Sequence, residues 1–203
     1  GEYSLYFARK GYEVSALELA DANIAAFKKK LTPEDKIDLV QGNALDLSRY
    51  ADKSFDIVLL FGPLYHLKND VDKQKCISEA KRVCKDGGKI FFAFISNDFV
   101  FLTEFGYDVN YFSNGDYDKE TFKLNDFPFV FHTVGAARKL LADGGINILH
   151  EVASDGASEL LAARINEMSD EDYTQYLRYH FYICEKPELL GMTNHLLFMG
   201  EKK

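Results

Sequence analysis

Two neighbouring side chains that could take part in chemistry follow a long apolar run. Tyr65 and His66 lie in the segment 62–67 (GPLYHL), directly after residues 55–61 (FDIVLLF). Glycine and proline at 62–63 end a strand and turn the backbone, so both side chains should lie at its carboxyl end, where open α/β sheets bind ligands. The intrinsic pKa of a histidine side chain suits proton abstraction, but His66 could equally be a hydrogen-bonded structural residue. Tyr65 fits better as an aromatic wall.

Two further polar residues stand at the ends of other predicted strands. Glu18 ends the segment 12–19 (YEVSALEL), and Asn43 lies in the loop 41–44 that follows the strand 37–40. The two oxygens of a carboxylate can accept hydrogen bonds from both hydroxyls of a ribose, although a solvated strand end would give the same sequence. Asn43 could be only a turn former.

Apolar strands alternating with amphipathic helices must position these residues. Residues 55–61 and 89–95 are almost continuously apolar, which predicts strands that are covered on both faces. This alternation predicts right-handed crossovers and a doubly wound, mostly parallel Rossmann-like α/β sheet. Helices are predicted for 2–10, 22–31, 71–84, 134–141, 157–168 and 170–184, with a short one from Pro187, and further strands for 146–152 and 195–200 (the last one antiparallel).

Polar residues and glycines mark where several of these elements begin and end. The sequence predicts a turn at residues 86–88 (DGG) before the second apolar strand. In the helix before that turn, an apolar stripe that includes two cysteines should face the core. Four residues are predicted to cap helices: Asp21, Asp70, Thr133 and Ser169.

Residues 96–131 depart from this alternation because they have no clear hydrophobic period. A connection of this length inside a compact domain is usually a lid or a binding loop. We therefore predict one domain over residues 1–203, with a lid at 96–131 and a helical cover at 153–194. The aromatic residues of the lid are expected to pack as its core rather than to form a cofactor site: Phe99, Phe101, Phe105, Tyr107, Tyr111 and Phe112.

Composition limits the compartment and the partners. The formal net charge of −8 disfavours nucleic-acid binding, which usually needs a basic face. The longest apolar runs are too short to span a bilayer, and no leader is recognisable, so we expect a cytoplasmic protein that binds no membrane. Three cysteines without metal-type spacing predict buried, reduced thiols and no metal site. Nothing in the composition indicates an oligomeric state.

Several of these segments, in this order, resemble those of class I S-adenosylmethionine-dependent methyltransferases over essentially the whole chain. YEVSALEL resembles the acidic ribose-binding strand end of the family, and GNALDL its adenine-edge loop. FDIVLLFGPLYHL resembles the strand and loop at the methionine end and is the most specific of the motifs. Before GKIFFAFI, Asp86 replaces the proline of a Lys-Pro-Gly-Gly turn. Residues 189–199 resemble bacterial members that act on small molecules.

The resemblance implies S-adenosylmethionine as the cofactor and a small molecule as the methyl acceptor. The acceptor would attack the sulfonium methyl in line, and the protein would act mainly through positioning. His66 would be needed as a base only if the acceptor must lose a proton, and the Tyr65 ring would attract the sulfonium. The implied cofactor-binding residues are Gly1, Tyr3, Glu18, Leu19, Asn43, Ala44, Phe61 and Gly62.

Two residues far from this loop are predicted to reach the acceptor. His132 follows the segment 127–131 (FPFVF), and it could alternatively be a plain helix-entry residue. Tyr179 shares a helix with Tyr176 and His180, and their spacing suits either a packed face or the roof of a pocket. Two other histidines, His150 and His195, lie on predicted strands and are interpreted as structural.

The chain departs from the family at its beginning. Gly1 resembles the last glycine of the family's glycine-rich loop, and the strand that precedes this loop is absent. A βαβ unit needs about 30 residues or more, so we expect an upstream extension, a truncation or a strand supplied by a neighbouring chain. Without that strand, the strands ending at Glu18 and Phe61 should have unpaired edges. Two rivals remain, an NAD(P)-dependent oxidoreductase and a non-catalytic binding domain.

Overall fold

A computed structural model describes residues 1–203 as two compact units, Gly1–Ala51 and Asp52–Lys203. Each unit has its own sheet. No helix combines the length and the apolar content that a membrane-spanning segment requires. The predicted single domain with its lid and cover stays a prediction.

The first unit is a small βα arrangement around two parallel strands. The sheet pairs β1 with β2 from Val14 opposite Ile37 to Glu18 opposite Gln41. Leu5 of the first helix and Phe27 of the second are buried. Both strands were predicted to within two residues at either end. The elements are α1 (Glu2–Arg9), β1 (Val14–Glu18), α2 (Asp21–Lys28) and β2 (Ile37–Gln41).

The second unit has a five-stranded mixed sheet. Its strand order is β3-β4-β7-β6, with β5 also pairing with β4; β3 and β5 run parallel to β4, and β7 runs antiparallel to both β4 and β6. The predicted fold class, an α/β sheet that is mostly parallel with an antiparallel last strand, is confirmed. The elements are β3 (Phe55–Leu60), a 3₁₀ turn (Pro63–Tyr65), α3 (Asp70–Val83), β4 (Cys84–Ser96), α4 (Val100–Tyr107), α5 (Tyr111–Asn114), β5 (Phe131–His132), α6 (Val134–Asp143), β6 (Ile146–Ala153), α7 (Ala162–Ile165), α8 (Asp170–Ile183) and β7 (His195–Lys202).

Two of the four predicted helix caps are correct. Thr133 and Ser169 each accept a hydrogen bond from the backbone amide three residues on, at 3.1 Å. Asp21 and Asp70 are instead the first helical residues, where a negative charge still interacts favourably with the helix dipole. The side chain of Asn69 caps α3 in place of Asp70.

The predicted turn at residues 86–88 lies inside β4. The pairing of β3 with β4 jumps from Phe55 opposite Cys84 to Ile57 opposite Lys89, so the extra residues form a bulge. Gly87 lies at φ +76°, a conformation that favours glycine. The strand therefore begins five residues earlier than the sequence predicts.

Burial of the two apolar strands is less complete than predicted. In β3 only Leu60 is buried, and Ile57 is 48% exposed, so cover on both faces is wrong for most of this strand. In β4 the buried residues Ile90, Phe92 and Phe94 alternate with half-buried ones. One face of β4 packs on the core, and the apolar residues on the other face are only partly covered.

The predicted apolar stripe of α3 packs on the buried face of the sheet. Cys76, Ile77 and Ala80 are fully buried, and Val83 almost so. All three cysteines are buried and unpaired, as predicted. Burial raises the pKa of the Cys76 thiol to about 12, which makes it inert at neutral pH.

Two predicted helices are shorter or absent. Of residues 157–168, only Ala162–Ile165 forms an α-helix. On either side of it, several backbone hydrogen bonds join residues three apart instead of the four that an α-helix requires. Residues 187–191 form turns rather than a helix. The bonds from the amide of Leu189 to Lys186 and from that of Met192 to Leu189 are isolated.

Residues 96–131 contain α4 and α5 and have an aromatic core of their own. Phe101, Tyr117 and Leu124 are buried together, and Tyr111 packs against them. Their packing supports a structural function for these residues. Phe105, Tyr107 and Phe112 remain exposed, so the packing prediction does not hold for every aromatic residue in the segment.

Candidate functional site

In the first unit, the carboxylate of Glu18 lies at the carboxyl end of β1. Its Oε1 accepts a hydrogen bond from the amide of Ala20 at 3.0 Å, while its Oε2 makes no hydrogen bond within the chain. Its backbone carbonyl accepts a bond from the amide of Gly42 at 3.0 Å, which fixes the strand end beside the next loop. One carboxylate oxygen is therefore held in place and the other can accept bonds from a ligand.

In the loop after β2, the side chain of Asn43 forms a turn, which is one of the two functions considered for it. Its Oδ1 accepts a hydrogen bond from the amide of Leu45 at 3.0 Å, so the side chain does form the turn. The Asn43 Nδ2 and the half-buried Ala44 remain available to a ligand. Leu19, just past the end of β1, is exposed.

At the beginning of α1, Gly1 packs against an aromatic ring. A Cβ added at this residue would lie 2.5 Å from the ring of Phe27, closer than side-chain atoms can approach. Only glycine fits this contact, and the predicted place of Gly1 in a glycine-rich loop stays a prediction. Tyr3, on the first turn of α1, is exposed.

In the second unit, the strand β3 ends in a tight turn at Gly62. Its φ of +135° is unfavourable for any residue with a side chain. The Tyr65 hydroxyl lies 3.9 Å from where a Cβ on Gly62 would be, and the fully buried Leu64 anchors the turn. The backbone conformation therefore requires glycine here, whereas the 3.9 Å distance is an ordinary van der Waals contact.

The structure brings Tyr65 and His66 together and adds a third ring that the sequence did not identify. The ring centroids of Tyr65 and His66 lie 5.0 Å apart, and Phe129 lies 5.3 Å from His66 and 6.2 Å from Tyr65. The amide of Val130 donates to the carbonyl of Tyr65 at 2.9 Å. Since Pro128 disfavours helix for the residue before it, the FPFVF run could have been recognised as an extended segment suited to such pairing.

His132 lies on β5 and is 6% exposed. Neither ring nitrogen makes a hydrogen bond, although the Val130 backbone is near, and the ring packs edge-on against Phe94 with centroids 5.0 Å apart. Burial, with smaller contributions from Lys73 and Lys123, lowers the pKa of His132 to about 4. The imidazole is therefore neutral at physiological pH and has unused hydrogen-bonding capacity.

Tyr179 lies elsewhere, on the wall of a cavity of about 200 Å³ under α8. Tyr176 and His180 line the same cavity, which favours the pocket roof over the packed face. His132 does not line it. In the sheet, β5 pairs with one edge of β4, and β6, which ends at the cavity, lies beyond β7 on the other side. The two residues predicted to reach the acceptor are thus not brought together.

The two histidines interpreted as structural are both paired with carboxylates. His150 Nδ1 lies 2.8 Å from Glu185, and His195 Nδ1 lies 2.7 Å from Asp155. The bond to Asp155 raises the pKa of His195. Burial acts to raise the pKa of Asp155, but the hydrogen bonds from His195 and Thr193 outweigh it and the pKa of this carboxyl is lowered. No three His, Cys, Asp or Glu side chains are arranged to hold a metal ion.

Comparison with known protein families finds a match at the beginning of the chain. Residues 1–92 match the family described as "Methyltransferase domain". A demethylmenaquinone methyltransferase from Clavibacter sepedonicus is 33% identical over 110 residues, which cover 54% of this chain and 43% of that protein. The chain therefore spans less than half the length of this curated relative.

Solved structures with low sequence identity share the fold of the whole chain. An S-adenosylmethionine-dependent methyltransferase from Methanosarcina mazei has a TM-score of 0.60 at 17% identity, over 98% of this chain and 86% of that one. A Burkholderia thailandensis 1,6-didemethyltoxoflavin-N1-methyltransferase has a TM-score of 0.56 at 13% identity, over 100% and 67%.

Together, these comparisons show what the chain is similar to. Residues 1–92 resemble a methyltransferase domain, and the whole chain has the fold of class I S-adenosylmethionine-dependent methyltransferases. The predicted resemblance, and with it S-adenosylmethionine as the cofactor of the class, is confirmed.

Proposed function

We propose that this chain binds S-adenosylmethionine and transfers its methyl group to a small-molecule acceptor. The observation that carries the proposal is the match to a methyltransferase domain over residues 1–92. This range includes both Glu18 and the loop with Tyr65 and His66. The cofactor supplies the reactive methyl on its sulfonium, so the protein's own contribution is binding, alignment and, for some acceptors, proton removal.

In the first unit, Glu18 is the proposed ribose-binding residue. Its free Oε2 and its fixed Oε1 suit a pair of hydroxyl donors, so the residue present fits the cofactor. Asn43 and the amide of Ala44 are proposed to meet the adenine edge. Gly1, Tyr3 and Leu19 complete the proposed set in this unit.

In the second unit, the backbone of Phe61 and Gly62 is proposed to meet the methionine end of the cofactor. The Tyr65 ring would stabilise a cationic centre near this turn by cation–π attraction. The exposed imidazole of His66 makes no side-chain hydrogen bond and can accept a proton from an acceptor. His132 stays a proposal as an acceptor contact, and Tyr179 stays one only for an acceptor long enough to extend from this loop to the cavity under α8.

Two similar proteins support a small-molecule acceptor. The Clavibacter relative is named for demethylmenaquinone, and the Burkholderia structure contains 1,6-didemethyltoxoflavin. The net charge of −8 supports the same conclusion, because it disfavours nucleic acid as the acceptor. The unpaired cysteines suit a reducing compartment such as the cytoplasm, where we place the chain.

Calorimetry with S-adenosylhomocysteine tests cofactor binding. Replacing Glu18 by alanine should weaken binding about 10- to 100-fold, since hydrogen bonds to a charged group contribute about 1.5–3 kcal/mol. Glu13→Ala is the matched control, because Glu13 is an exposed carboxylate just before the same strand and should have no effect. Equal losses in the two variants, or no binding by the wild type, would contradict the proposal.

A pair of acceptors separates proton removal from positioning at His66. With a phenolic acceptor that must be deprotonated, His66→Gln should lower kcat by about 10²–10⁴. With an acceptor that is already ionised at the assay pH, the same variant should be nearly as active as the wild type. Similar losses for both acceptors would show that His66 acts in binding instead. Binding of S-adenosylhomocysteine without turnover of any acceptor would favour the non-catalytic rival.

A further inference from the structure

We infer that the cavity under α8 is a second small-molecule site, which binds a planar aromatic molecule of one or two rings carrying a ring N–H or hydroxyl group. The inference does not depend on methyl transfer. It rests on how α8 packs, on the size of the space beneath it, and on the polar group that lines that space.

The helix α8 covers the end of the sheet without packing tightly on it. An amphipathic helix of 14 residues normally buries its apolar stripe, yet none of its residues is fully buried. The inward side chains Tyr176, His180 and Ile183 are only half-buried. The aromatic face of α8 therefore lines open space.

Small residues create this space on the opposite side. Ala153, Gly156 and Ala157 face the helix, and the cavity has a volume of about 200 Å³. An engineered cavity of about 150 Å³ in another protein is large enough to hold benzene, so this one can hold one ring or two fused rings. Gly156 lies at φ +52°, and a Cβ there would be 3.3 Å from His180 Nδ1, so glycine also keeps the imidazole in place.

The chemistry of the lining selects the ligand. Most of the wall is aliphatic or aromatic, which favours stacking of a flat apolar ring. The hydroxyl of Tyr176 is bound to Ser158 at 2.7 Å, whereas the imidazole of His180 makes no hydrogen bond within the chain. A ligand N–H or hydroxyl can satisfy this imidazole.

The cavity is distant from the loop that carries Tyr65 and His66. Both lie at the same edge of the sheet, because β6 and β4 each run antiparallel to β7. In the order β3-β4-β7-β6 they are three strand spacings apart, about 14 Å. A ligand of one or two rings under α8 cannot reach His66, so this is a separate site.

Indole and indene provide matched probes, since they have the same shape and only indole has an N–H. Titrations followed by NMR of the full chain should show indole binding about three- to tenfold tighter than indene, the range expected for one neutral hydrogen bond. His180→Phe should abolish this difference while both probes still bind. Ala157→Leu should weaken both probes at least tenfold by filling the cavity.

Controls keep the test decisive. Tyr182→Ala removes an aromatic ring from the outer face of α8, where it is 68% exposed, and should leave both affinities unchanged. If Ala157→Leu does not fold, Met192→Trp narrows the mouth of the cavity from an exposed position and should have the same effect on binding. Failure of indole to bind the wild type, or equal losses of affinity with Tyr182→Ala and Ala157→Leu, would overturn the inference.

Discussion

The segment 96–131 and the helix α8 are both rich in aromatic residues, yet they pack in opposite ways. In the first, Phe101 and Tyr117 have ring centroids 4.7 Å apart and are buried together with Leu124. In the second, no residue is fully buried. Aromatic content therefore does not distinguish a core from a pocket wall, because the outcome depends on the residues opposite.

The opposing residues explain the difference. The segment 96–131 folds back on itself, and the buried side chain of Asn97 fixes that fold by donating to the carbonyl of Phe122 at 3.0 Å and accepting from the amide of Leu124 at 2.9 Å. The helix α8 faces Ala153, Gly156 and Ala157 instead. Large side chains meet other large ones in the first region and small ones in the second.

The largest expected effect is on stability. Phe101→Ala should lower the free energy of unfolding by about 3–5 kcal/mol, because it leaves a cavity inside a packed cluster. Ile183→Ala in α8 should cost less than about 2 kcal/mol, because that side chain is already next to open space. Urea unfolding of both variants makes the comparison. Equal losses would mean that the two regions are packed alike.

A second prediction concerns His132, at the end of the segment with the tighter packing. Its folded pKa of about 4 lies below its ordinary value of 6.5, so the unfolded chain takes up the proton first as the pH falls. Stability should be constant above pH 6.5 and should decline between pH 6.5 and 4, by about 3 kcal/mol in total.

The variant His132→Phe isolates this contribution. A phenyl ring can pack on Phe94 and cannot titrate, so the decline between pH 6.5 and 4 should shrink by most of that amount. Urea midpoints measured across this range provide the test. If stability declines by the same amount between pH 6.5 and 4 in His132→Phe, other groups cause the decline.

The third prediction concerns the space under α8. Ala157→Leu should raise the free energy of unfolding by about 0.5–1 kcal/mol, since added methyl groups fill a void without displacing a tightly packed neighbour. A loss of more than about 1 kcal/mol would indicate overpacking, and hence that α8 is packed as tightly as the aromatic cluster. Thermal unfolding monitored by circular dichroism is sufficient for this comparison.

The order of helices and strands could be predicted because it depends on local signals. Apolar periodicity located β1, β2, β4 and α8, and the hydroxyl caps at Thr133 and Ser169 were read correctly from their position before an apolar stripe. Candidate residues at strand ends followed from the same logic, since a parallel strand presents its carboxyl end to a ligand.

Features that depend on distant residues could not be predicted. Phe129 packs on His66 from more than sixty residues away, and no local pattern encodes that contact. The exposure of Ile57 depends on what covers its face of β3, and the apolar run does not show that. The cavity has the same origin: the spacing of Tyr176 and His180 suits a packed face equally well, and only the small residues opposite decide between the two.

The smallest expected effect on stability concerns His195. This residue pairs with Asp155, which lies just after β6 at the beginning of the segment that leads to α8. Asp155 raises the pKa of His195 above its ordinary 6.5, so the pair's contribution is fully present below pH 6.5 and is lost as the pH rises through the folded value. This is the opposite sign to His132, in a separate pH window. Because the pair is partly exposed, the loss should be only a few tenths of a kcal/mol.

An NMR titration of the His195 imidazole is therefore a better measurement than unfolding, and Asp155→Asn should return the pKa of His195 towards 6.5. If the pKa of His195 is not raised in the wild type, the carboxylate of Asp155 does not hold this imidazole.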